Sequence, residues 1–199
     1  DSLDRELYVA LKVLDFALCS VPGAPLKQAL INEGIGKDVF SMYDNGYRQP
    51  VFGIVAKGAA IADEERFRTV IKEVLTDIVE NGVDEKAMLS AINHFEFKYR
   101  EADFGTTPKG LMYGMQVLDS WLYDDEKPFI HLEANATYAA LREKVGKGFF
   151  EKLIQTYLVE NNHAASVILL PKKGLAAASE MAEKEKLAQL KSGMSEEQL

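Results

Sequence analysis

Cysteine is nearly absent from this sequence. One residue in 199, Cys19, carries a thiol. No internal disulfide can form, and the usage fits a reducing compartment. Cys19 follows Leu18 in an apolar stripe with no histidine near it in sequence, so a buried structural thiol is expected rather than a nucleophile. Histidine is scarce too, with three copies. His94 and Glu96 are two residues apart in a helical stretch, roughly 200° apart around its axis, and cannot share a metal ion. His131 follows a turn and His163 opens an apolar run. HExxH, HxxEH and HxxxH do not occur, so no metal or zinc ligand set is expected within the chain. GxSxG, P-loop and GxGxxG patterns are also absent. Gly34-Ile35-Gly36-Lys37 leads into a strand, whereas a phosphate loop opens a helix. Basic charge is in deficit: the net charge is −8, with no basic stripe, which argues against nucleic acid as a partner. No apolar run approaches the roughly 20 residues of a membrane span, and none reads as a signal peptide. No membrane partner is expected.

What is present is a strand pair in a helical chain. Lys37–Gly58 (KDVFSMYDNGYRQPVFGIVAKG) holds two short apolar runs around Asp44-Asn45-Gly46. In the first, Phe40 and Met42 fall on one side, Val39, Ser41 and Tyr43 on the other. In the second, Phe52, Ile54 and Ala56 share a side. Period-two spacing and the Asn-Gly signal predict two paired strands. A third strand is expected at His163–Leu170, where Val167, Ile168, Leu169 and Leu170 read as a buried central strand stopped by Pro171.

The rest reads as helix. Arg5–Ser20 has a wide stripe, implying burial on more than one side, with Asp4 or Ser2 as cap. Leu26–Glu33 is short and ends at Gly34 and Gly36. A helix from Asp63 turns Phe67, Val70, Ile71, Val74, Leu75 and Ile78 inward and closes at Asn81-Gly82. Asp84 caps the next, which runs to about Asp103 with Met88, Ala91, Ile92, Phe95 and Tyr99 inward. Thr107 is expected to cap a helix with Pro108 first, reaching about Tyr123 with Leu111, Met115, Leu118 and Leu122 inward. Thr137–Val145 and Gly148–Glu160 follow, then a charged helix at Gly174–Lys191 with few recurring apolar residues. Acidic clusters at Asp63–Glu65 and Asp124–Glu126 fit a helix start and an exposed turn. The expected fold class is therefore α+β, a small mostly antiparallel sheet packed against several helices. Residues 1–172 are expected to form one domain, and 173–199 to hold a charged helix leaving it as an arm or linker. Three strands are few for so many helices, so a further strand before Asp1 is expected. Ser195 with Gln198 has the form of a capping box for another helix. Both ends read as cuts in a longer protein.

Several strings together resemble one family. Cys19–Gly34 (CSVPGAPLKQALINEG) is similar to the small-residue turn and following helix of the pitrilysin and insulin-degrading metallopeptidases. Asn45-Gly46-Tyr47, the Asn81–Asp84 junction and Asn93–Glu101 continue the likeness. Pro108-Lys109-Gly110-Leu111 and Ser120-Trp121-Leu122-Tyr123 resemble the presequence-protease branch, and Met194-Ser195-Glu196-Glu197 resembles the start of the helical hairpin that joins the two halves of those enzymes, which implies that 173–199 leads into an interdomain hairpin. The resemblance covers essentially the whole chain and matches the second, zinc-free domain. It implies that Zn2+ belongs to the full-length enzyme, held by HxxEH in another domain, with none bound by this fragment. An Arg and a Tyr that assist substrate binding belong to the fourth domain and are not carried over. The fragment alone is expected to be inactive, its partners a peptide substrate and the remaining domains of the same polypeptide. By the same resemblance a strand edge here, at Val39, Phe40, Ser41, Met42 and Tyr43, holds a peptide by strand addition. An ordinary sheet strand is the alternative for that stretch. The negative charge suits basic substrates. A zinc-free homologue serving as scaffold or peptide-binding subunit is the alternative for the whole. The implied compartment is the bacterial cytoplasm, or else a mitochondrial matrix or plastid.

Overall fold

The computed structural model describes residues 1–102 and 104–195. The predicted end of one helix at Asp103 and the Ser195–Gln198 capping box lie, in whole or part, outside the described residues. Two units are distinguished, Asp1–His163 and Ala164–Leu199.

The first unit is built around α1, Arg5–Cys19. Asp4 opens it: one carboxylate oxygen accepts from the backbone N–H groups of Glu6 and Leu7 at 2.9 and 3.0 Å, satisfying two donors that a helix start leaves unpaired. Tyr8, Val9, Ala10, Val13, Leu14, Ala17, Leu18 and Cys19 are all buried. That is the broad burial the wide stripe implied, because α1 is contacted by the sheet and by several helices. α2 (Pro25–Asn32) starts with Pro at its first position, where the missing N–H costs nothing. It ends before Gly34, whose φ of 73° is open to glycine at little cost.

β1 (Asp38–Asp44) and β2 (Val51–Lys57) pair antiparallel, from Asp38 opposite Lys57 to Asp44 opposite Val51. The reversal occurs at the Asn-Gly signal, but residues 45–50 form a longer loop than a two-residue turn. Asp44 Oδ1 accepts from the Gly46 N–H at 3.1 Å, and Pro50 offers no N–H for the ladder. The two sides are those expected from the alternation. Val39, Ile54, Ala56 and Phe52 pack inward, while Phe40 and Met42 are exposed.

α3 (Glu64–Asn81) and α4 (Glu85–Glu101) follow. Val70, Leu75 and Ile78 of α3 are buried, as are Met88, Ala91 and Ile92 of α4. Asp84 caps α4 through the Lys86 and Ala87 N–H groups. α5 (Lys109–Trp121) corrects two expectations. Its cap position is Pro108 in place of Thr107, and no side-chain cap bond is made there. More important, Leu111, Met115, Leu118 and Leu122 do not point inward. They are exposed, and Ser120 is the buried residue of the helix. α6 (Asn135–Lys144) and α7 (Phe149–Ile154) complete the unit, α7 passing into a wider turn at Gln155–Val159. The core has two parts. The larger one surrounds α1, and a smaller one joins Leu30, Ile35, Val39 and Val70 between α2, β1 and α3.

In the second unit, the stretch expected as a third strand forms none among the described residues. Val167, Ile168, Leu169 and Leu170 are exposed, Leu169 at 90%. An apolar run signals a wish for burial, but a strand exists only when another backbone pairs with it. α8 (Leu175–Ser192) has no buried residue. Its charges stabilise it locally, as in Lys184 with Glu180 one turn away at 2.7 Å.

Candidate functional site

The expected site residues lie on one strand but divide between its two faces. Val39 is fully buried against Leu30, Ile35 and Val70. Phe40 and Met42, 43% and 47% exposed, stand on the outer face. Strand alternation forces this split. Five consecutive residues therefore cannot present five side chains to one ligand. What a strand can offer along its whole length is backbone. Among the described residues β1 has one strand neighbour, β2, so its other edge carries N–H and C=O groups outside any ladder.

The inner face of β1 is unusually polar. Ser41 Oγ lies against the Asp15 carboxylate and the Cys19 thiol, yet Ser41 Oγ, Asp15 Oδ1 and the Tyr43 hydroxyl are buried without a full hydrogen bond. Burial raises the Asp15 carboxyl above the usual carboxylate range and also raises the Tyr43 phenol. Burial pushes Cys19 to about 11. The thiol is thus protonated near neutrality and is a poor nucleophile.

A polar cluster that local spacing does not reveal sits at the end of β1. The Tyr8 hydroxyl donates to Asp119 Oδ2 at 2.6 Å. Burial is the main cause raising both groups. Tyr123 donates its hydroxyl to the Gly46 carbonyl at 3.1 Å, and Gln116 Nε2 donates to the His131 carbonyl at 3.0 Å. The His131 ring stacks on Tyr8 with centroids 3.7 Å apart. It is buried, its Nε2 has no partner, and burial lowers its pKa to about 4. His94 lies elsewhere, stacked on Phe16 at 4.5 Å. Nothing in sequence links Tyr8 to Asp119, which are 111 positions apart.

The cluster holds α5 to the domain rather than forming a reaction centre. Tyr8 is protonated at any ordinary pH and its proton is already engaged. Two surface depressions, about 430 and 360 Å³, lie along α3 and at the junction before α5. Neither is lined by Val39–Tyr43 or by this cluster. Among the described residues no group of three or more His, Cys, Asp or Glu is placed to hold a metal ion. The residues present do not fit a zinc site, and no chemical step is assigned to them. No described helix is long and apolar enough to cross a membrane.

The class defined by this geometry is an α+β domain without an assembled catalytic group among its described residues. Comparison with known proteins adds what the chain is similar to. Residues 1–95 match the family model described as the Peptidase M16 inactive domain. Protein HypA of Clostridium perfringens is 39% identical over 199 residues, which is 100% of this chain and 20% of that protein. Presequence protease 1, chloroplastic/mitochondrial, of Arabidopsis thaliana is 30% identical over 202 residues, covering 99% of this chain and 19% of that protein. The mitochondrial presequence protease of Danio rerio is 25% identical over 193 residues, covering 95% and 18% respectively. Residues 1–95 are thus similar to the M16 inactive domain, and the full length of the chain is similar to a segment of HypA and of proteins named presequence protease. The chain spans about a fifth of the length of these relatives.

Proposed function

We propose that this chain is a noncatalytic, chamber-forming domain of a zinc metalloendopeptidase that degrades short unstructured peptides. The observation that carries the reading is the match of residues 1–95 to an inactive peptidase domain, continued by similarity to presequence proteases along the rest of the chain. In this reading Zn2+ and the catalytic groups lie elsewhere in a longer polypeptide. This domain contributes enclosure, and β1 from Val39 to Tyr43 contributes a backbone edge for a substrate peptide. The single strand neighbour of β1 among the described residues supports that edge. Residues 1–172 serve as the domain and 173–199 as the helix leading into an interdomain hairpin, a reading supported by the exposure of α8. The bacterial cytoplasm is the proposed compartment, with mitochondrial matrix or plastid as the alternative; one relative is clostridial and another is named chloroplastic/mitochondrial.

The test compares this chain with the longer gene product, using a short unstructured fluorogenic peptide with and without chelator. The chain alone is expected to cleave nothing. The longer product is expected to cleave, to stop on chelation and to recover with zinc. Zinc-dependent cleavage by the chain alone, or none by the longer product, overturns the reading.

A further inference from the structure

Helix α5 is turned the wrong way for a surface helix of a self-contained domain. Leu111, Met115, Leu118 and Leu122 recur at intervals of four, three and four residues, so they share about 60° of the helix circumference. All four are exposed, at 56%, 55%, 44% and 67%. Ser120, fully buried, lies on the opposite side, roughly 180° away. Its hydroxyl donates to the Lys127 carbonyl at 2.7 Å. With the Asp119 and Gln116 bonds, the polar side of α5 thus grips the domain while the apolar side faces out. Water disfavours that arrangement, and contiguous apolar faces of this kind mark surfaces that another body covers.

We propose that this face is a domain interface, occupied by an apolar-seamed helix from another domain of the same longer polypeptide. The proposal rests on the reading of the chain as one domain of a larger peptidase. Three observations select this occupant. The alternating four-three spacing is the narrow seam that two packed helices share; an extended peptide would be met by a period of two. Gly110 and Gly114 flank the seam, and a Cβ added to either would meet no atom within 4 Å. Each costs helix stability of about 1 kcal/mol relative to alanine, and together they leave room for a second backbone to come close. The relatives supply the chain that could fill this place, since about four fifths of each lies outside the matched segment. A second copy fits less well, because pairing would bring together two chains that each carry a net charge of −8.

The experiment uses the scarcity of cysteine. Cys19 is the one native thiol and is buried, so Leu118→Cys and Met115→Cys each place one reactive thiol on the seam. Lys72→Cys, on the outer side of α3, gives the rate of an open position. In the isolated chain both seam thiols are expected to react with maleimide as fast as the α3 control. In the longer gene product, followed by peptide mass, they are expected to react at least about tenfold more slowly, since labelling then waits for domains to separate. A benzophenone carried at Leu118→Cys is expected to cross-link to a helix outside residues 1–199 of the same polypeptide. Equal labelling in both proteins overturns the proposal. So does protection in the isolated chain that grows with its concentration, which identifies a second copy. Protection that appears only with added peptide identifies a substrate surface and overturns it as well. A gene product that ends with this chain removes the larger-peptidase reading, and the interface with it. A longer product with open thiols removes only the interface.

Discussion

The hydroxyl of Tyr8 on α1 donates to the Asp119 carboxylate on α5 at 2.6 Å, joining the central helix to one whose apolar side faces solvent. Tyr8→Phe removes the donor and leaves a buried carboxylate without it. A loss of about 1–3 kcal/mol is expected, the cost of an unsatisfied buried acceptor. Asp119 already sits above the usual carboxylate range through burial, with the Tyr8 bond acting to lower it. The raised folded value means this group destabilises at neutral pH, and the penalty fades as pH falls through that value. Tyr8→Phe is therefore expected to raise the Asp119 titration further. Urea denaturation across pH checks the energy, and hydrogen exchange should show protection lost first in α5.

His131 makes the fold acid-sensitive. Its folded pKa of about 4 lies below its ordinary 6.5 because burial disfavours the charged ring. Between those values the unfolded chain takes up a proton that the folded chain refuses, so stability falls as pH drops through this window. The ceiling is roughly 3 kcal/mol, because each tenfold loss of proton affinity on folding is worth about 1.36 kcal/mol. His131→Phe keeps a ring against Tyr8 and removes both the unpartnered Nε2 and the ring's hydrogen bond with the buried Ser2 backbone. Stability near neutrality should fall by about 1–3 kcal/mol through the unsatisfied Ser2 backbone group, while the decline between pH 6.5 and 4 becomes shallower than in the parent chain. Equal slopes in the two proteins would count against this account.

The strand pair was legible because alternation ties each side chain to a face: the exposed Phe40 and Met42 and the buried Val39 follow from period two alone. α1 was legible because an eight-residue buried set leaves few positions for solvent. Periodicity says that an apolar face exists, without saying what it meets. That is why α5 read as an inward helix when Leu111 and Leu118 point out, and why Val167–Leu170 read as a buried strand although no described backbone pairs with it. Tyr8–Asp119 was invisible because the bond depends on how two distant helices cross. The peptide edge at Val39–Tyr43 came from family likeness and rests on that alone for its ligand.

Cys19 should behave as packing material. It is 2% exposed and pushed to about 11 by burial. At about pH 8 the native chain is expected to react with a thiol reagent only as often as it opens, so the labelling rate should rise with urea in step with unfolding. Reaction at the rate of a free thiol in native buffer would show that the stripe around Leu18 is open.

The peptide edge makes a prediction that separates backbone from side chains. Phe40→Ala and Met42→Ala remove exposed groups and should each cost less than about 1 kcal/mol of stability. Val39→Ala empties a fully buried position beside Leu30 and Val70 and should cost about 2 kcal/mol. In the longer gene product, a substrate that pairs with β1 uses alternate backbone N–H groups. N-methylation of those alternate amides in a short basic peptide is then expected to weaken its binding at least about tenfold, equivalent to about 1.4 kcal/mol, whereas N-methylation of the intervening amides leaves it nearly unchanged. Phe40→Ala and Met42→Ala should weaken binding modestly and without regard to methylation pattern. A peptide indifferent to which amides are blocked would return β1 to the role of an ordinary strand.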